Sequence, residues 1–264
     1  MADADALREP GVSGLPVSPD QEPLPPPAAA PSGDESVMSL VDHLTELRSR
    51  LFRAIIAVAI GSAVGFYFAT DARNFLMRPL GGIPLQVLGV GDAFVIQIKI
   101  AFVIGVILAM PVLLYQVWAF VAPGLTPQER KTVRPWIPLA LFFFAIGVVI
   151  AYVILPFALQ FLFSFTDENL QARPAAGQYF DFVTTMFLVF GLIMEFPILL
   201  YGLSRVGIVT SQRLAASRRM VILGIAIFAA IATPGGDLIS PFVLGITMYI
   251  LFELTTFAIK RSGK

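Results

Sequence analysis

Cysteine is absent from the 264 residues, which removes the disulfide, the thiolate nucleophile and the cysteine-based metal site from consideration. Histidine occurs once, at His43, outside the apolar stretches, where it reads as an interfacial polar residue rather than a catalytic base. The chain also lacks the H-E-x-x-H signature of zinc proteases and any glycine-rich phosphate loop. Charge is scarce: 14% of residues are Asp, Glu, Lys or Arg, against 57% hydrophobic, with a mean hydropathy of +0.81. That leaves too little polar surface for a soluble globule, so the composition describes an integral membrane protein. The formal net charge of zero is uninformative, because Lys and Arg orient a membrane protein through their distribution between loops.

Residues 1–37 carry Pro, Ala, Ser, Gly, Asp and Glu with few large apolar side chains, and include the run from Pro23 to Pro31. Such a segment buries too little to order itself, and it lacks the basic start and apolar middle of a secretory signal. It is expected to be a disordered cytosolic tail, with Met38 as an alternative start. The membrane domain is expected over residues 38–264. It opens on an amphipathic helix at residues 39–53, where Ser39 and Asp42 are spaced as a capping box. Leu40, Leu44, Leu47 and Leu51 form one stripe of this helix, and His43, Glu46 and Arg50 share another face. The stripe is expected in the membrane interface, with Glu46 just outside the bilayer.

A hydrocarbon core of about 30 Å needs about 20 helical residues. Spans of roughly that length are expected near residues 51–70, 94–119, 136–162, 179–201, 218–232 and 238–259. The fifth is the shortest, bounded by Arg219 and a T-P-G-G-D turn, so the bilayer is expected to thin locally there. This arrangement puts Arg8, Arg48, Arg50 and Arg53, then Arg130, Lys131 and Arg134, then Arg205, Arg213, Arg218 and Arg219, then Lys260, Arg261 and Lys264 on one side. Only Arg73, Arg78, Lys99 and Arg173 fall on the other, and the positive-inside rule then makes both termini cytosolic. The basic loops are short and are explained by orientation, so nothing suggests nucleic acid. No convincing internal repeat is present. Pro111, Pro156 and Pro197 each interrupt a span, remove a backbone hydrogen bond and are expected to bend their helices.

Two places carry candidate chemistry. Glu195, in G-L-I-M-E-F-P, precedes Tyr201 by six residues and so lies about 9 Å inward from that aromatic. A carboxylate at midspan is costly, so Glu195 is a functional candidate by default; the alternative is a neutral acid bonded to the Ile193 carbonyl freed by Pro197. The second place is the corner from Pro111 to Pro135, where Tyr115 and Trp118 mark an interface. Thr126, Pro127 and Glu129 there stand at the N-cap, N1 and N3 positions of a helix. Glu129 is therefore either a cap or a ligand for a cation, and Glu46 is either a ligand or the partner of Arg50 four residues on. Intramembrane aspartyl chemistry is not supported, since Asp181 and Asp237 are expected near the outer face, far in depth from Glu195. A small-solute or proton-coupled transporter using Glu195 is the alternative to the reading that follows.

Four stretches taken together, H-L-T-E-L-R-S-R-L at 43–51, M-P-V-L-L-Y-Q-V-W-A-F-V-A-P-G-L at 110–125 with Glu129 following, M-E-F-P-I-L-L at 194–200 and T-P-G-G-D at 233–237, resemble the TatC family. This is the polytopic receptor subunit of the twin-arginine protein translocase, and the resemblance runs from about Met38 to the C-terminal end. It implies an all-α integral membrane protein, with six helices in a curved, glove-shaped bundle, in the bacterial cytoplasmic (inner) membrane. It implies no enzyme activity, no cofactor and no metal. The partners implied are twin-arginine signal peptides of folded precursors, small single-span subunits of the TatA and TatB type, other copies of the same chain, and membrane lipid. Glu46 and Glu129 match the acids that bind the signal, Phe120 and Pro123 match loop positions that the family needs, and Arg48 matches a functional arginine. Glu195 matches the family's intramembrane glutamate, placed to meet a polar group of a partner helix, and Thr233 lies at the edge where single-span partners dock.

Overall fold

The computed structural model describes residues 40–122, 136–167, 172–205, 207, 209–233 and 237–261. The tail expected at residues 1–37, together with Ser39, lies outside the described residues. The described regular structure is helical: α1 Leu40–Met77, α2 Asp92–Val121, α3 Trp136–Phe163, α4 Ala176–Ile193, α5 Phe196–Arg205, α6 Ser211–Ala216, α7 Arg218–Ala232 and α8 Ile239–Arg261. Five helical stretches are long and apolar enough to cross a membrane: α1, α2, α3, α4 with α5, and α8. Many of their large apolar side chains point outward, among them Tyr67, Phe94, Phe142 and Ile250. In water such a surface would aggregate, whereas in lipid it is the solvated face. Helix α7 is 15 residues long, about 22 Å at 1.5 Å per residue, and is short of a full crossing.

The amphipathic segment and the first span are one helix, α1, running unbroken for 38 residues. Leu44, Leu47 and Leu51 of its apolar stripe are exposed, as a membrane-facing stripe requires. Helix α2 lies antiparallel against α1, and glycine sets their separation. A Cβ on Gly105 would lie 2.5 Å from the Ser62 nitrogen and 2.7 Å from its Cα, and one on Gly61 would lie 2.6 Å from the Gly105 carbonyl oxygen. Small residues on both sides let the backbones touch, which is how helices associate when lipid removes the hydrophobic drive between them. Thr70 accepts from Gln97 Nε2 at 3.1 Å farther along the same seam. Helices α3 and α4 repeat the device, since a Cβ on Gly147 would meet Gly191 Cα at 2.9 Å.

One end of the helices is tied by short backbone contacts. Gln86 N donates to Pro174 O at 3.0 Å and Ala176 N donates to Gln86 O at 2.7 Å, joining the α1–α2 connection to the segment before α4. Tyr179 adds a bond from its hydroxyl to the Leu76 carbonyl. The core between the helices is large and apolar, with Phe144, Phe180, Phe190 and Leu155 almost fully buried.

The prolines behave differently from one another. Pro111 and Pro156 sit inside α2 and α3, which remain continuous helices, whereas Pro197 follows a true break between α4 and α5 at Met194 and Glu195. The spans expected over residues 94–119 and 136–162 thus run on through their prolines, and only at Pro197 is the helix broken. A single proline deletes one hydrogen bond, and the turns around Pro111 and Pro156 keep the helix going.

The glycine seam gives a direct test. Gly105→Leu should destabilise the fold by about 1–3 kcal/mol, because the Ser62 backbone as well as its movable hydroxyl blocks the new atoms. Gly224→Ala, whose Cβ meets nothing within 4 Å, should be neutral or slightly stabilising. Thermal melting of the two variants in mild detergent would separate them, and equal melting temperatures would refute the seam as the determinant of α1–α2 spacing.

Candidate functional site

Antiparallel packing brings the start of α1 to the end of α2. There the His43 ring stacks on Phe120, with centroids 4.4 Å apart and planes 21° from parallel. One turn along α1, Glu46 is held by Arg50: Nε donates to Oε1 at 2.9 Å and Nη2 donates to the same oxygen. Residues four apart on a helix are neighbours, so this pair follows from the sequence. Glu46 Oε2 is buried and has no hydrogen-bond partner among the described residues; His43 Nδ1 lies 4.0 Å from it.

Arg48 is not part of this cluster. Two residues apart on a helix do not share a face, and the Arg48 guanidinium instead lies over the Phe52 ring at 5.8 Å. Pro123 and Glu129, with the cap expected at Thr126 and Pro127, lie outside the described residues. On α2, Gln116 Oε1 and Trp118 Nε1 are both buried without hydrogen-bond partners among the described residues, and Trp118 packs near Tyr115 at 6.0 Å. Beyond the undescribed corner, Trp136 at the start of α3 packs on Tyr201 of α5 with centroids 3.9 Å apart. Arg205 covers the same tyrosine ring at 4.9 Å and donates to its hydroxyl. This end of the helices thus gathers aromatic and basic side chains, as an interfacial belt does.

Glu195 occupies the break between α4 and α5 and is 7% exposed. Its carbonyl accepts from the Ile198 and Leu199 nitrogens, each at 3.1 Å, so the backbone restarts as a helix around Pro197. Its side-chain Oε1 is buried without a partner among the described residues, so that oxygen does not make the bond to the Ile193 carbonyl weighed from sequence. Thr233 caps the far end of α7, where its hydroxyl donates to the Ala229 carbonyl at 2.6 Å. Beside it Asp237 Oδ1 accepts from the Ser240 nitrogen at 2.6 Å and starts α8. Asp237 is thus a helix cap, and Asp181 is paired with Lys99 across α2 and α4.

Periodicity could not reveal the contacts between distant helices. The Lys99–Asp181 pair, the Arg218–Glu253 pair at 2.8 Å, and the His43–Phe120 stack each join residues far apart in the chain. The signals that were present in the sequence were single: a charge inside an apolar run for Lys99 and Glu253, and a lone imidazole for His43. Among the described residues no three His, Cys, Asp or Glu side chains are grouped to hold a metal ion.

The family model described as Sec-independent protein translocase protein (TatC) matches residues 42–246. The TatC protein of Azotobacter chroococcum is 39% identical over 235 residues, covering 87% of this chain and 91% of that protein. The one from Carboxydothermus hydrogenoformans is 33% identical over 230 residues, covering 86% and 95%. The one from Escherichia coli is 36% identical over 229 residues, covering 84% and 88%. A crystal structure of the twin arginine translocase receptor TatC in DDM superposes with a TM-score of 0.74 at 34% identity, covering 82% of this chain and 99% of that one. The all-helical fold thereby agrees with the six-helix bundle expected from sequence, with α7 as its short member. The matched region takes in both the Glu46 cluster and the Glu195 break, and the chain belongs to the TatC family as a multi-pass membrane component of the Sec-independent protein translocase.

Proposed function

We propose that this chain is the receptor subunit of its translocase, binding twin-arginine signal peptides of folded precursors at the cytosolic face. The observation that carries this reading is the stack of His43 on Phe120, which gathers the Glu46 turn of α1 and the end of α2 at one place. Two of the segments that the family resemblance implies for signal binding therefore meet in space although more than 70 residues separate them in the chain. Glu46 and Glu129 supply carboxylates for two guanidinium groups, which carboxylates accept through paired, charge-assisted hydrogen bonds. Phe120 and Pro123 match loop positions that the family resemblance implies for the same role, and Arg48, on the adjoining face of α1, contributes from the side.

The membrane domain, residues 38–264, sits in the bacterial cytoplasmic membrane with residues 1–37 as a cytosolic tail and both termini inside, as the skewed distribution of Lys and Arg favours. Small single-span subunits of the TatA and TatB type, and further copies of this chain, assemble around it. Glu195, buried and with Oε1 unpartnered among the described residues, meets a polar group of such a partner helix, and Thr233 lies at the edge where partners dock. As the chain is a translocase component, Glu195 is read as a partner contact and not as the titrating site of a solute transporter.

Three measurements test these assignments. Because the chain has no cysteine, one introduced at Ser262 can be labelled cleanly. An impermeant maleimide should reach it only after the membrane is opened, and labelling of intact spheroplasts would reverse the orientation. Glu46→Gln combined with Glu129→Gln should abolish crosslinking to a twin-arginine signal peptide while the protein still melts as wild type. Glu129→Gln alone keeps an amide able to cap while removing the charge, so loss of binding in that variant would assign Glu129 to the signal and retention would assign it to the helix cap. Finally, Glu195→Ala should lower recovery of single-span partners in mild detergent without altering signal crosslinking; unchanged recovery would remove Glu195 from the partner surface.

A further inference from the structure

Helices α7 and α8 are joined by a short turn but end unevenly at the other side. Helix α8 has 23 residues and α7 has 15, a difference of eight, or about 12 Å at 1.5 Å per residue. Two contacts set their register. Nearer the turn, a Cβ on Gly245 would touch Ile225 and Ala229 at 3.9 and 4.0 Å. At the far end Arg218, the first residue of α7, donates from Nη2 to Glu253 Oε2 at 2.8 Å. Glu253 lies eight positions before the last residue of α8, so α8 runs on for about two turns beyond the start of α7. Helix α6 lies beside that overhang, where Leu214 packs with Phe252 and Ile259. The step so formed holds a cleft of about 300 Å³, lined among others by Ser211, Gln212, Arg218, Glu253, Phe257 and Lys260.

The polar side of this cleft has donors to spare and no spare acid. Glu253 accepts from Arg218 on Oε2 and from the Tyr249 hydroxyl on Oε1 at 3.2 Å, so both its oxygens are taken. The side chains of Lys260, Ser211 and Gln212 make no hydrogen bond or ion pair among the described residues. Arg218 and Glu253 cancel, and Lys260 leaves the cleft with one positive charge. The apolar side continues the lipid-facing surface: Ile246, Ile250, Leu254 and Phe257 follow one another at helical spacing along α8, all exposed, and Phe257 ends the stripe in the cleft wall. We propose that the cleft binds the headgroup of an anionic phospholipid, its phosphodiester between Lys260 and Arg218 and its acyl chains along Phe257, Leu254 and Ile250. A phosphodiester is a monoanion and matches the one uncompensated charge. Because α7 starts about two turns short of the end of α8, Arg218 lies deeper than the level of Lys260, where a cation is costly unless an anion answers it. A headgroup drawn into the step gives the remaining donors of Arg218 an acceptor, and a span as short as α7 thins the bilayer enough to admit it. Basic clefts between spans are where anionic headgroups settle, and a lipid alone joins the anion to chains that cover Phe257. A free phosphate leaves that ring as it is.

The test uses the full-length protein, stripped of lipid in a neutral detergent and titrated with phosphatidylglycerol while its melting temperature is followed and retained lipid is counted by native mass spectrometry. Phosphatidylglycerol should stabilise the wild type saturably, and phosphatidylcholine should not. Lys260→Gln should raise the half-saturating concentration about fivefold. Arg261→Gln makes the same charge change at the next residue, outside the cleft lining, and should leave that concentration nearly unchanged. Both side chains are exposed, so neither variant threatens the fold. Phe257→Ala should also weaken phosphatidylglycerol, and inorganic phosphate should stabilise none of these proteins. Equal shifts in Lys260→Gln and Arg261→Gln would reduce the effect to diffuse attraction by a basic helix end and overturn the site. Stabilisation by inorganic phosphate that Lys260→Gln removes and Phe257→Ala keeps would assign the cleft to a free anion and overturn the lipid. Equal stabilisation by both lipids, or none by phosphatidylglycerol, would overturn it as well.

Discussion

In hydrocarbon no water is available to a backbone amide, so every N–H and C=O that enters the membrane must find its partner within the protein. The long unbroken helices of this chain answer that constraint, and so does the persistence of α2 and α3 through Pro111 and Pro156. Where the ladder does break, at Met194 and Glu195, the Glu195 carbonyl is taken up at once by two amides of the next helix. The same break releases an acidic side chain into a buried position that a continuous helix would have placed by its period alone. Backbone satisfaction and the location of the buried Glu195 are thus one event.

The second consequence concerns how helices hold together. Lipid tails are as apolar as leucine, so burying leucine against leucine gains little, and close backbone approach takes over. Gly61, Gly65 and Gly105 let α1 and α2 touch, and Gly147 with Gly191 does the same for α3 and α4. Because α1 and α2 are antiparallel, the close seam also fixes what lies at their ends. It sets His43 against Phe120 at one end, and toward the other it allows Gln97 to reach Thr70. A contact of small residues at midspan therefore positions the polar cluster near Glu46, many turns away.

The polar residues divide into those that are structurally occupied and those that are not. Thr233, Thr255 and Thr256 return their hydroxyls to carbonyls of the preceding turn, Asp237 caps α8, and Lys99 meets Asp181. Against this background, three buried acidic oxygens have no partner among the described residues: the second oxygen of the Asp237 cap, and Glu46 Oε2 and Glu195 Oε1, whose side chains cap no helix. A buried carboxylate oxygen left unpaired is costly, and both acids belong to motifs that carry the family resemblance. One lies where helix ends gather aromatic and basic groups, the other in a helix break within a membrane-spanning stretch.

Composition alone determined the solvent of this protein, since hydrophobic content and scarcity of charge leave no other surface, and apolar run length located the helices to within a few residues. Local rules reached further: four-residue spacing foretold the pairing of Glu46 with Arg50, and ordered motifs pointed to the family. That the helix continues through Pro111 and Pro156 but breaks before Pro197 was not legible, because a proline's effect depends on whether neighbouring turns can absorb one lost bond, which a one-dimensional pattern does not record. Which helices touch, and hence that His43 meets Phe120, Lys99 meets Asp181 and Trp136 meets Tyr201, was decided only in three dimensions. The reason is physical: hydropathy states that a face is apolar but not whether lipid or another helix covers it, and that choice falls to the fit of small residues between backbones.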